Sequence, residues 1–355
     1  MMQRGTLFVS ILALAGLCAA VGPAPAPTPA AAATDAATTS AKVRGMTISC
    51  HGSGQSWGSD AMVETMAELH ELGVNWITIH PYAGIGTDGT VGGSRTSRMY
   101  ADPQWLTRPI EEAHRLGLKI MIKPHIAYWG TPFSWRGEIT FETDAQWARF
   151  FSTYEAWVTM VAELSKDADA FVVGTELGGT AHHETEWRRV IAAVRGATDA
   201  PLTYSANWDR FQKVPFWDAL DVIGIQSYFP LTEACELPEP AELDAAWTDL
   251  LADLEGYAGR LGKPIVFAEL GYNLSSDASC RPWEYRTGGP DAEETQRRCM
   301  EAALRAVDRS ETIVGAFLWK WFPGDGRRGR RGNFIMSTPA MRDVIGRHWR
   351  DADNG

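Results

Sequence analysis

The run Ala170-Phe171-Val172-Val173-Gly174-Thr175-Glu176 is an apolar, β-branched stretch that ends abruptly in an acid. Pro264-Ile265-Val266-Phe267-Ala268-Glu269-Leu270-Gly271-Tyr272 repeats the same design further along the chain. Each run is short and rich in strand formers, and each is followed by a longer stretch of helical period, Glu184–Arg195 behind the first and Ala292–Ser310 behind the second. A strand, a helix and then another strand of the same kind is the unit of a parallel sheet.

Working outward from these two runs, the same alternation accounts for the rest of the chain. The strands predicted are Val43–Cys50, Val74–Tyr82, Leu118–Ile126, Ala170–Glu176, Leu202–Asn207, Val222–Tyr228, Ile265–Gly271 and Val314–Trp321. The helices that follow them in turn are Ser59–Leu72, Gln104–Leu116, Thr143–Lys166, Glu184–Arg195, a short Pro215–Leu220, Pro240–Leu261, Ala292–Ser310 and Pro339–Trp349. Eight such pairs close a sheet on itself, so the expected fold is α/β, a (β/α)8 TIM barrel. Gly73, Gly117 and Gly262 end helices just before strands, which makes those connections tight. The segments after strands are long instead, notably 83–103, 127–142 and 273–291, and carry Trp129, Trp135 and Trp283. In this fold, loops at the carboxyl ends of strands build the site.

The chain has 355 residues, and its first part does not read as barrel. Arg4 followed by the uncharged apolar run Leu7–Ala20 reads as a signal peptide over residues 1–21. Leu17 stands before Cys18, where a lipobox wants a small residue, which speaks against a lipid anchor. Residues 22–41 are almost only Ala, Pro and Thr, a linker composition that cannot bury a core. Residues 42–355 then form one catalytic domain, expected to be secreted or periplasmic and monomeric, with no membrane span.

The mature part keeps Cys50, Cys235, Cys280 and Cys299, and in an oxidising compartment Cys235 with Cys280, both in loops after strands, is the favoured pair, free buried thiols being the alternative. A formal net charge of −11 argues against nucleic acid as a partner, with Arg327–Arg331 a local exception that reads as a solvated loop. Fifteen tryptophans exceed what a core ordinarily uses, and flat aromatic faces pack on sugar rings. The glycines of 84–93 make a flexible loop with no cofactor fingerprint, and the adjacent His182 and His183 face apart on a helix, so neither cofactor nor metal is expected.

The reactive groups at strand ends are Glu176 on the fourth strand and Glu269 on the seventh. One carboxylic acid to protonate a leaving oxygen and one carboxylate to attack the anomeric carbon, about 5 to 5.5 Å apart, is what a retaining glycosidase needs. Either glutamate alone reads equally as a salt-bridged acid; the two together point to chemistry. Around them, His80, His125, Asn207 and Tyr228 end further strands, with Trp208 and Trp129 in the loops behind. Tyr228 is placed to hydrogen-bond Glu269 and keep it ionised. Trp319 and Trp321, two residues apart and so expected on the same face of the eighth strand, are candidates for the floor beneath the sugar, one of the two taking that role and core packing staying open for the other. Scaffold roles stay open for His80, His125, Asn207 and Trp208.

These residues resemble clan A of the glycoside hydrolases, and within it family 113, a set of bacterial β-1,4-mannanases. The likeness rests on Gly174-Thr175-Glu176-Leu177, on Ala268-Glu269-Leu270-Gly271-Tyr272 and on Ala316–Pro323, and covers most of residues 43–350. It implies Glu176 as acid/base, Glu269 as nucleophile and Trp319 as aromatic platform. Most clan A members carry Asn before the acid/base, where it binds the sugar 2-hydroxyl, and Thr175 departs from that pattern. The expectation is therefore a retaining double displacement on a polysaccharide or oligosaccharide, β-mannan first, with xylan, β-glucan or short oligosaccharides as the alternative. A non-catalytic carbohydrate-binding barrel is the rival from another class, and it would not require both carboxylates.

Overall fold

In the computed structural model, residues 41–50, 52, 54–324 and 333–350 are described. The predicted signal segment 1–21, the predicted linker apart from Ala41, and Arg327–Arg331 lie outside the described residues. The barrel strands are β1 (Val43–Ile48), β2 (Trp76–Ile79), β4 (Lys119–Ile122), β6 (Ala170–Thr175), β7 (Leu202–Asn207), β8 (Val222–Ser227), β9 (Ile265–Leu270) and β10 (Ile313–Trp321). They close in the order β1-β10-β9-β8-β7-β6-β4-β2, with every pairing parallel. This is the (β/α)8 barrel expected from the alternation.

Two predicted strands are each split in two. Pro81 and Pro124 have no N–H to give to a ladder, so Val74–Tyr82 yields β2 and a short β3 (Tyr82–Gly84), and Leu118–Ile126 yields β4 and β5 (His125–Ala127). β3 and β5 pair as a separate two-stranded sheet that prolongs the barrel wall, tied across the breaks by His125 N–H to the Pro81 carbonyl at 2.8 Å. The helices outside the barrel are α1 (Asp60–Glu71), α3 (Gln104–Arg115), α4 (Asp144–Leu164), α5 (Glu184–Ala197), α6 (Pro240–Leu261), α7 (Ala292–Arg309) and α8 (Pro339–Trp349), and α2 (Ser94–Tyr100) is an unpredicted turn of helix within the 83–103 loop. The predicted short helix at Pro215–Leu220 is instead a pair of 3-10 turns, Phe211–Lys213 and Trp217–Ala219, too few residues for an α-helix to nucleate.

The main core lies between barrel and helices, and a second, small one fills the barrel's lower interior: Met121, Val172, Val266 and Phe317, with Val43 and Trp76 against it. Above that apolar layer the inward residues turn polar, with Thr47, Thr78, Lys123, Thr175, Ser205, Gln226 and Glu269 all buried. No helix among the described residues is long and apolar enough to cross a membrane. Cys235 and Cys280 are bonded, Cα–Cα 5.3 Å, and clip the loop after β8 to the loop after β9.

Gly174 shows how tightly the outer face of β6 is packed. A Cβ there would meet the Trp187 ring at 2.6 Å and the Tyr204 ring at 2.9 Å, and both rings are buried against Phe216. Gly174→Val is expected to lower unfolding free energy by about 1–3 kcal/mol through overpacking. Urea denaturation read by tryptophan fluorescence checks this; an unchanged midpoint would mean that α5 gives way freely.

Candidate active site

Both glutamates reach the barrel mouth, but not by simple alternation along their strands. On β9, Val266 faces inward, so Ala268 would follow it and Glu269 would face out. The ladder with β8 slips here: Ile225 pairs Phe267, and the next residue, Gln226, pairs Glu269. Ala268 is the extra residue of a bulge, and the bulge turns Glu269 into the barrel. On β6 the register with β7 slips between Val172 and Thr175, which puts the Thr175 hydroxyl on the Pro124 carbonyl at 3.0 Å. Glu176 follows with φ 56°, the left-handed region that non-glycine residues rarely occupy, and Phe334 in the same cleft has φ 54°. Such conformations cost about 1–3 kcal/mol each and concentrate at functional sites.

Glu269 is buried at 4% exposure, with Lys123 Nζ donating to Oε1 at 2.6 Å and the Tyr228 hydroxyl donating to Oε2 at 2.8 Å. The Tyr228 contact is the one expected from sequence. Lys123 is fully buried, also donates to the Ala268 carbonyl at 3.1 Å, and stands 4.8 Å from the Trp319 ring centre. Burial pushes its ammonium below the ordinary range, and the charge of Glu269 opposes that. Glu176 is paired differently: Arg136 Nη1 donates to its Oε2 at 2.5 Å. Burial raises the Glu176 carboxyl, Arg136 opposes the rise, and the charge of Glu269 adds to it. The two carboxylates thus lie within each other's field, each with its own cation.

They line one cleft of about 650 Å³, which also takes in His125, Asn207, Trp208, Tyr228, Trp319 and Trp129 of the residues predicted from sequence. Trp319 stacks on His125 at 6.1 Å and 21°, and His80 lies behind, 5.0 Å from His125, without reaching the cleft wall. Burial, first of all, holds both imidazoles well below the usual histidine range, so they are neutral. Neither ring nitrogen of His125 or of His80 has a hydrogen-bond partner among the described residues, and only His125 lines the cleft. Besides His80, Trp321 is a predicted residue that the structure places outside the cleft. The β1 ladder pairs Thr47 with Trp319 and Ile48 with Trp321, skipping Lys320, so the two tryptophans do not share a face. Trp321 is buried in the core under the Arg342 guanidinium of α8.

The loops supply walls on opposite halves of the barrel. Trp129 packs against Tyr82 at 5.3 Å on the β3 and β5 side, and Trp208 stacks on Trp283 at 5.4 Å and 21° on the β7 and β9 side. Trp129, Trp283 and Tyr285 are exposed. Lys123, Arg136 and Lys320 were missed in the sequence. Lys123 carried a signal, a charge inside an apolar inward strand two residues before His125. Arg136 sits on a loop, where no period points to it. Lys320 donates to Asn333 Oδ1 at 3.0 Å, and burial pushes it down to about 8.

Against this geometry the sequence comparison is decisive: the model of Glycoside Hydrolase Family 113 matches residues 46–325. The chain belongs to Glycoside Hydrolase Family 113. It is a glycoside hydrolase. Among solved structures it is similar to a family 113 β-mannanase from Alicyclobacillus acidocaldarius, at 28% identity and TM-score 0.73, covering 87% of this chain and 97% of that one. A second family 113 β-1,4-mannanase aligns at 21% identity and TM-score 0.74, covering 87% of this chain and 99% of that one. A β-glucuronidase from Ruminococcus gnavus shares the fold at 15% identity and TM-score 0.56, over 87% of this chain and 50% of its own. No curated protein matches the chain in sequence.

In this family 113 hydrolase the Lys123–Glu269 pair is almost fully buried, so each partner is stranded if the other is removed. Lys123→Met and Glu269→Gln are each expected to cost about 3–5 kcal/mol, and the double variant less than their sum. A double-mutant cycle by urea unfolding measures this; additivity would mean that the pair contributes nothing beyond its separate parts.

Proposed function

We propose that the protein is an exported retaining endo-β-1,4-mannanase in which Glu269 is the nucleophile and Glu176 the acid/base. The observation that carries the assignment of roles is the unequal setting of the two carboxylates. Glu269 receives donors from Lys123 and Tyr228 on both oxygens, which orient it for attack. Glu176 has its carboxyl raised by burial and stands where Glu269's charge favours holding a proton.

In the first step a Glu269 oxygen bonds to the anomeric carbon, the glycosidic bond breaks, and the Glu176 proton goes to the departing oxygen. In the second, Glu176 takes a proton from water as the water oxygen bonds to the same carbon, and the ester to Glu269 opens with retention. Trp319 forms the floor under the sugar, with His125 and Asn207 offering hydrogen bonds to hydroxyls. The Trp129 and Trp208–Trp283 walls favour a chain that extends both ways from the point of cleavage, hence internal attack. Mannan is favoured by the family and by the mannanases to which the chain is similar. Export is supported by residues 1–21, the linker and the disulfide, which suits an oxidising compartment.

Incubation with β-mannan, glucomannan, xylan and β-glucan is expected to release reducing ends from mannan first, with the β-anomer appearing initially by NMR. Glu269→Ala and Glu176→Ala should each lower mannan hydrolysis by about two to four orders of magnitude while staying folded. Normal hydrolysis by both variants would sink the assignment, and an initial α-anomer would sink retention.

A further inference from the structure

A retaining hydrolase needs one carboxyl to be an acid in the first step and a base in the second, and Arg136 stands where that change occurs. It lies in the loop after β5, outside any strand. Its Nε donates to the Ile126 carbonyl at 3.3 Å, its guanidinium lies 5.8 Å from the Tyr128 ring centre, and Nη1 donates to Glu176 Oε2. Only 12% of its side chain and 18% of that of Glu176 are exposed, so the pair is little screened.

We propose that Arg136 is a positioning residue that carries Glu176 from its acid role to its base role, by standing beside the carboxylate that the first step leaves behind. The inference rests on the assignment of Glu176 above. Before the first step the Glu269 carboxylate favours a proton on Glu176, and Arg136 opposes it. Once Glu269 is esterified its charge is gone, while Arg136 remains. Proton departure from Glu176 then creates an ion pair in place, with no cation to be recruited. The same pair keeps Glu176 from drawing a proton from solvent before the attacking water supplies one.

The other titratable groups that face Glu176 are Glu269 of β9, Lys123 beyond β4, Tyr204 of β7, Tyr228 beyond β8 and Tyr285 of the loop after β9. Lys123 is bonded to Glu269 before the first step and, once that carboxylate is esterified, acts on Glu176 from a distance in the same direction as Arg136; burial first of all raises the three tyrosines, so they stay neutral. Arg136 is the cation in contact with Glu176.

The test is carboxyl titration by 13C NMR of glutamate-labelled protein, with Glu176→Gln to assign the resonance, alongside the pH profile of kcat/KM on β-1,4-mannan oligosaccharides. Removing a neighbouring cation disfavours the carboxylate, so in Arg136→Met the Glu176 midpoint should rise by about one to three pH units. The alkaline limb of kcat/KM should rise with it, because the acid keeps its proton longer. Arg136→Lys should fall between wild type and Arg136→Met. If Arg136→Met does not fold, Arg136→Gln carries the same expectation. An unmoved or lowered midpoint, or an equal loss at every pH with an unmoved limb, would overturn the inference. Full activity of Glu176→Ala on the same oligosaccharides would instead overturn the assignment of Glu176, whatever the titration shows.

Discussion

Two carboxyl groups buried side by side repel each other once ionised and lose hydration at the same time, and both effects favour a proton on one of them. Here each has a separate cation: Lys123 on Glu269 and Arg136 on Glu176. The cations reach the site from different places, one from a barrel strand's end and one from a loop. Neither is shared between the carboxylates. Trp319 lies over Lys123, the histidines pack behind Trp319, and the bulged strands are arranged so that these few charged atoms meet.

Barrel alternation alone would not bring them together. The inward layer below the site is apolar; apart from a slip low on β10, between Ile313 and Gly315, the irregularities lie one layer higher, at Ala268 on β9, between Val172 and Thr175 on β6, and at Lys320 on β10. Each displaces the pattern by one residue where the strand carries a site residue. Gly271, just beyond Glu269, allows the Trp319 carbonyl to come so close that a Cβ would meet it at 2.7 Å. The lower barrel supplies a rigid base, and the deviations aim the side chains.

This division explains what could be read from the sequence. Strand and helix alternation, glycine stops and long loops after strands describe the regular part, and the barrel followed from them. Glu176 and Glu269 were legible because an acid closing an apolar run is conspicuous whichever way it faces. Trp321 was misplaced because two-residue alternation was carried through a bulge, and a bulge depends on the partner strand's register, not on local composition. Pro81 and Pro124 did announce themselves, yet the runs around them were read through as single strands. Lys123 was visible as a lone inward charge, whereas Arg136 depends on where a loop folds back, which no period in the chain records.

The neutrality of the histidines completes the electrostatic argument. Lys123, Arg136 and Lys320 already stand around the site, so a protonated imidazole at His80 or His125 would add a further positive charge in a buried place. Burial and the nearby cations both act against it. A neutral imidazole keeps one donor and one acceptor, which suits a sugar hydroxyl better than two donors do. Both histidines have ring nitrogens without a hydrogen-bond partner among the described residues, and of the two only His125 lines the cleft. The cations set beside Glu269 and Glu176 therefore also help to hold the two imidazoles next to Trp319 in the form that both donates and accepts a hydrogen bond.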